Sequence, residues 1–436
     1  MTSTLVKFPS VPRLNAPTMH RLPNGLTIVA EQMPVEAVNL SIWANVGSAI
    51  ESDSINGMAH FLEHMIFKGT EQLESGEFER RIEERGAVTN AATSQDYTYY
   101  YITTAPKDFA ELAPLQMEVV LNPSIPDDAF ERERLVVLEE IRRSEDNPRR
   151  RMYYRAMETA FEKLPYRRPV LGPSGVIAGV TPQQMRDFHA TWYRPRSLTA
   201  VAVGNLPVEE LIETVANAFA QNSRSPMEQG DETVLTSELG MGELERRFDR
   251  IVRREFVDEK LQQARLAMMW RVPGLEALDE TYALDAIAWL LAKGRTARLI
   301  HDLREEKGLV SSISASNLTH HRQGVFIISA QLPLENVERV EAEILDHIRT
   351  LHTDLARDAE IERMGTQVVN RYIFSNETPS DRASVYGYYQ SMMGDLAPAL
   401  NYPARIKSLS ALDLQRSARE YLSPEAYGTV VMKPAV

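Results

Sequence analysis

The sequence predicts an α+β chain built as two homologous α/β-sandwich-like halves, each a mostly antiparallel sheet with helices on one face. Three observations predict it. Strand-like runs at a period of two precede apolar helices in both halves. Residues 221–240 are rich in Ser, Pro, Gly and acidic residues without periodicity, the composition of a linker. The order of strand, apolar helix, Lys-Gly step and second helix then recurs beyond that break. The chain therefore divides into residues 1–221, a linker at 222–240, and residues 241–436.

At 436 residues the chain exceeds one ordinary core. Its 43% hydrophobic and 25% charged content is that of a soluble globular protein. No run approaches the roughly 18–20 apolar residues of a membrane span, so none is expected. Residues 1–25 lack the apolar block of a secretory signal, which favours a cytoplasmic protein. They also lack Asp and Glu while carrying Lys7, Arg13 and Arg21, so an organellar matrix stays open. Pro9, Pro12, Pro17 and Pro23 interrupt any helix there. With no cysteine, disulfides and zinc–thiolate sites are excluded, and any metal must use His and carboxylate ligands. A net charge of −13 argues against a nucleic-acid binder and is compatible with an acidic cavity for basic peptides.

In chain order, Leu26–Ala30 follows the Pro23-Asn24-Gly25 turn as a strand, and Val38–Val46 alternates as a second. An apolar helix around His60 comes next, then a helix over Glu77–Arg85 closed by Gly86. Tyr97–Thr104 is a Tyr- and Thr-rich strand preceded by Val88–Thr93. Helices are predicted over Lys107–Leu121, from Asp127 to about Glu145, over Pro182–Thr191 and over Val208–Ala220, with a strand at Leu198–Gly204. Beyond the break, strands fall at Ala264–Val272, Val325–Ala330 and Tyr427–Lys433, and helices at Tyr282–Ala292, Arg298–Glu306 and Val337–Leu351.

The chemistry concentrates in the first apolar helix. His60 and His64 are four residues apart, so both imidazoles reach one point from one helix face. Glu63 flanks that face, giving His-x-x-Glu-His. Zinc takes about three such ligands and keeps one position open for water, whose proton a nearby carboxylate can accept. Two histidines on a helix are also common without metal, so a third ligand decides. The helix after Pro126 offers Glu131, Glu133, Glu139 and Glu140. Glu139 has Arg142 and Arg143 at i+3 and i+4, the pattern of a solvated ion pair. Glu140 lies between Val137 and Ile141 on the apolar side and is the chosen ligand. Glu133 shares that face and can orient a ligand imidazole.

Aligning Lys293-Gly294 on Lys68-Gly69 maps His60 to Asp285, Glu63 to Ala288 and His64 to Trp289. The second half thus keeps the helix without the metal set.

These motifs resemble the insulinase/pitrilysin zinc metallopeptidases, nearest the small bacterial and mitochondrial-processing-peptidase-type subunits. The resemblance rests on His60-Phe61-Leu62-Glu63-His64 with Glu140 76 residues beyond His64, on Leu22–Leu26, Gly86–Ala91, Glu133–Glu140, and Trp192–Pro195 before Val203-Gly204-Asn205. It implies one zinc ion per chain on His60, His64 and Glu140, with Glu63 the general base that activates the attacking water. It implies a supporting role for Glu133 and substrate pairing along a strand edge at Asn90 and Ala91. It further implies an Arg and a Tyr from the second half that hold substrate: Arg382 and Tyr389, with Tyr386 and Tyr388 as rivals. The implied activity is a zinc endopeptidase acting on short or unfolded peptides inside a closed chamber. The implied particle has two chains, a homodimer or a pair with a zinc-less homologous subunit. The alternative is a non-catalytic assembly subunit or peptide-binding module of the same fold.

Overall fold

Two sheets with one shared topology carry the chain. In the computed structural model, residues 14–223 and 242–435 are described. The expected 222–240 linker lies almost wholly outside them. In the first half, β1 (Thr18–Arg21), β2 (Thr27–Gln32), β3 (Val38–Ala44), β4 (Val88–Thr93), β5 (Thr98–Thr104) and β6 (Leu198–Gly204) order as β1-β2-β6-β3-β5-β4. In the second, β7 (Val252–Asp258), β8 (Ala264–Pro273), β9 (Ser312–Leu318), β10 (Gln323–Leu332) and β11 (Gly428–Pro434) order as β7-β11-β8-β10-β9. Each sheet has one parallel pair, β2 with β6 and β7 with β11, among otherwise antiparallel neighbours. The repeat legible around Lys68 and Lys293 therefore extends to every strand but β1.

Helices α1 (Met58–Ile66), α2 (Glu77–Glu84), α3 (Phe109–Leu121) and α4 (Asp127–Asp146) follow the predicted ranges, and α1 to α4 share one core with β2, β3, β5 and β6. The helices Tyr282–Ala292 and Val337–Thr353 do the same for the second sheet. The expected helix over Arg298–Glu306 is present, wound over Ile300–Glu306 as a π-helix. Among the described residues no helix is long and apolar enough to cross a membrane.

The other face of each sheet is covered by a helix from the opposite half. Helix α5 (Pro148–Ala160), which the sequence reading passed over, packs Met152, Ala156, Met157 and Ala160 against Ala267, Met269, Val325, Ile327, Val430 and Met432. In return the helix Pro379–Met393 lays Ala383 and Tyr386 on Val29, Trp43, Val201 and Val203. This two-sided cover is why β3 and β6 are buried along their whole length. Gly387 permits the approach: a Cβ there would stand 2.0 Å from Trp43 Nε1.

A buried ion pair ties this exchange together. Arg382 Nη1 donates to Glu31 Oε1 and Oε2 at 2.8 and 3.0 Å, and Tyr386 donates to Glu31 Oε2 at 2.8 Å. The Arg382 and Glu31 side chains are only 12% and 4% exposed. Removing one partner of such a pair leaves an uncompensated buried charge, so Glu31→Ala is expected to cost about 3–5 kcal/mol. Denaturant unfolding measures this, and an unchanged midpoint would show that the pair does not hold the halves together.

Candidate metal centre

Helix α1 begins where two backbones meet. Gly57 has φ +99°, and its Cβ would lie 2.5 Å from Leu171 O. The Gly172 Cβ would meet Asn56 O at 2.1 Å. Only glycine fits such contacts at positive φ. The first free N–H groups of the helix are taken by Glu51, whose Oε2 accepts from Gly57 N at 2.8 Å and Oε1 from Ala59 N at 2.7 Å. Burial pushes the Glu51 carboxyl up to about 7, against the pull of these donors. No sequence signal marked Glu51; it positions α1 from seven residues ahead of Met58.

Apolar residues of α1 fill the core, and Phe61 meets Phe130 of α4 with ring centroids 4.5 Å apart. That packing turns His60 and His64 toward the acidic face of α4. His60 Nε2 lies 3.5 Å and His64 Nε2 3.6 Å from Glu140 Oε2. The donor atoms of His60, His64 and Glu140 all lie within 4.8 Å of one another. Among the described residues they form the one such metal-capable group. His64 Nδ1 meets Glu133 Oε1 at 2.9 Å, and Lys68 Nζ holds the other Glu133 oxygen at 2.8 Å. Glu139 is turned away and pairs with Arg142 and Arg143 at 2.7–2.9 Å.

The electrostatics suit a cation. Burial and the neighbouring His64 charge pull the His60 pKa down to about 4, keeping its ring neutral with a free lone pair. Burial also opposes charge on His64, but Glu133 and Glu140 together outweigh it and raise its pKa to about 9. His64 thus occupies a place where positive charge is favoured, whether proton or metal. Buried His60 Nδ1 has no partner, so the ring is engaged only through Nε2, which faces Glu140 and His64. Ligands about 2.0–2.2 Å from a shared tetrahedral zinc stand about 3.4 Å apart, close to the two observed separations from Glu140. The residues present fit zinc.

Glu63 points beside this group. Thr93, at the end of β4, donates its hydroxyl to Glu63 Oε2, a partner the sequence reading did not assign. Burial raises the Glu63 pKa despite that bond. β4 is the edge of its sheet, so Asn90 and Ala91 lie on an open strand edge, where Asn90 Oδ1 accepts from the Ala91 N–H at 2.9 Å. Arg382 and Tyr389 do not join the centre. Arg382 is spent on Glu31 and on Asn376 O, and Tyr389 packs on Tyr388 near Asp285. The rivals are likewise engaged, Tyr386 with Glu31 and Tyr388 with Thr319 O. In the second half Asp285, which the alignment sets against His60, is half-buried and accepts hydrogen bonds from Asn317 Nδ2 at 2.9 Å and the Tyr402 hydroxyl at 3.2 Å. A hydrogen-bonded cluster of Asp285, Asn317 and Tyr402 stands where the first half gathers its donors.

Comparison with known proteins agrees with this geometry. The model of "Insulinase (Peptidase family M16)" matches residues 27–174, and that of "Peptidase M16 inactive domain" matches residues 179–368. The chain is 27% identical over 431 residues to the zinc protease PqqE of Helicobacter pylori, covering 95% of this chain and 92% of that one. It is 26% identical to a probable mitochondrial-processing peptidase subunit beta of Arabidopsis thaliana, covering 92% and 75%. The crystal structure of a protease from Helicobacter pylori superposes with a TM-score of 0.88 at 27% identity, covering 96% and 99%. The two matched models span both halves, the inactive one falling largely on the half whose helix lacks the metal donors. The chain is a zinc metallopeptidase of the insulinase family, peptidase family M16.

Proposed function

We propose that the chain is an endopeptidase for short or unfolded peptides, with zinc on His60, His64 and Glu140 and with Glu63 as general base. One observation carries this reading: three metal donors converge beside a carboxylate that Thr93 holds at the end of an edge strand. Zinc, when bound, supplies Lewis-acid chemistry that polarises a carbonyl and makes water nucleophilic near neutral pH. The remaining work falls to side chains. Thr93 occupies Glu63 Oε2, which leaves Oε1 to accept a proton from the attacking water and pass it to the leaving amine. Burial raises the Glu63 pKa toward the working pH, which eases that return transfer. Glu133 accepts the Nδ1 proton of His64 and so fixes Nε2 as the ligand atom.

Substrate adds as a strand to β4 at Asn90 and Ala91, through main-chain bonds that read little side-chain identity. Only an extended chain can do this, which spares folded proteins. The second half serves as the facing wall of the chamber, in a homodimer or in a pair with a zinc-less homologue, in the cytoplasm or an organellar matrix. The bond from Arg382 to Glu31 favours an architectural role for that arginine over substrate binding.

Zinc-loaded protein is expected to cleave an unstructured peptide and spare a stable folded domain. A chelator should abolish cleavage and added zinc restore it. Cleavage that survives complete metal removal would overturn the reading.

A further inference from the structure

The net charge of −13 is compatible with an acidic cavity, yet Arg150 stands near enough to the metal centre to act on His60 and Glu140. Helix α5 opens with Pro148-Arg149-Arg150-Arg151, capped by Asn147 Oδ1, which accepts from Arg149 N at 2.9 Å and Arg150 N at 3.3 Å. Arg151 is neutralised by Asp258. Arg149 and Arg150 have no carboxylate partner among the described residues. Neighbouring α4 behaves differently: Arg132, Arg134, Arg142 and Arg143 are all paired along their own helix. In a chain with 61 acidic residues, two adjacent unpaired guanidinium groups are a local departure.

These arginines border a cavity of about 300 Å³ lined by Gln95, Arg149, Arg150, Tyr153, Tyr154 and Val170. It adjoins the centre at two points. Gln95 lies two residues past Thr93, the partner of Glu63, and its Nε2 donates to the Tyr153 hydroxyl at 3.3 Å. Arg150 is near enough to act electrostatically on both His60 and Glu140. The Tyr153 oxygen accepts from Gln95, so its own proton is free to donate into the cavity. From the second half, Arg265 of β8 adds another guanidinium without a carboxylate partner, close enough to Arg149 to feel its charge.

We propose that this cavity is a carboxylate subsite, in which Arg149 and Arg150 bind an acidic group of the peptide on the side of the scissile bond away from β4. A guanidinium fork matches a carboxylate with two parallel hydrogen bonds, and the tyrosine rings and Val170 offer an apolar wall for the methylenes leading to it. The group is either an Asp or Glu side chain or the C-terminal carboxylate. This rests on the proposed peptidase function and names a substrate feature for it, one opposite to the basic peptides that net charge alone suggests.

The test uses full-length, zinc-loaded protein and one unstructured peptide. Glu, Gln or Lys is placed at each position in turn, and every peptide is made as free acid and as amide. At one position kcat/KM is expected to be about tenfold higher for Glu than for Gln, with Lys slower still, as suits a charge-assisted pair. If the C-terminal carboxylate is the ligand, the free acid outruns the amide instead. Arg149→Gln/Arg150→Gln should bring the preferred and neutral peptides to parity through KM, and Arg149→Glu should favour Lys. That inversion cannot come from misfolding. Equal kcat/KM for all peptides with wild type, or a preference intact in the double variant, overturns the subsite while leaving the peptidase standing. No cleavage of any peptide overturns the proposed function itself.

Discussion

Glu63→Gln is expected to keep a full complement of zinc and to lose about 10²–10⁴-fold in kcat on an unstructured peptide, the usual range for a general base. Glutamine has the shape of glutamate, and its amide oxygen can still accept from Thr93 Oγ1. Only proton acceptance by the free Oε1 position is lost. Because Glu63 is no nearest ligand in the His60–His64–Glu140 group, metal content should not change. Zinc stoichiometry and kcat, measured on one preparation, check both halves of this expectation. Turnover close to wild type would remove Glu63 from the mechanism.

Glu140→Gln is expected to do the reverse and deplete the metal. It removes the only anionic donor of the group and one of the three carboxylates, with Glu133 and Glu63, that favour positive charge on His64. Loss of an outer-sphere partner typically costs 10–100-fold in metal affinity, so loss of this donor should cost at least about 100-fold. Glu133→Gln should fall within that smaller range, and Glu139→Gln should change nothing, since Glu139 serves only Arg142 and Arg143. A competitive chelator titration ranks the three. Zinc binding as tight in Glu140→Gln as in Glu139→Gln would exclude Glu140 as a ligand. The same titration should show affinity rising with pH toward about 9, because His64 must shed a proton that Glu133 and Glu140 help to hold.

The members of the His60–His64–Glu140 cluster were legible because each could be read within its own helix. His60 and His64 share a face by helical spacing alone, and Glu140 separates from Glu139 by the residues three and four positions on. The duplication was legible through the Lys-Gly step that ends each apolar helix. Less visible were the groups that hold these donors in place. Thr93 looks like any strand threonine until β4 brings it to α1, and Glu51 caps a helix through loop geometry with no capping motif in sequence. Arg382 illustrates the converse: the family resemblance implied a substrate role for it with Tyr389, and nothing in its local sequence announced the bond to Glu31 that packing of its helix on the first sheet creates.

By itself the sequence determined the two-half architecture, the helices and strands of strong period, and the donor types of the centre, all consequences of short-range spacing. Only the tertiary structure decided that each half lends a helix to the other's sheet, that Glu63 is held by Thr93 and α1 by Glu51, and that an acidic chain sets unpaired arginines beside its metal donors. Apart from the Glu51 cap, which spans six to eight residues of loop, those relations join residues tens to hundreds of positions apart, and burial and packing select them; no local periodicity records the choice.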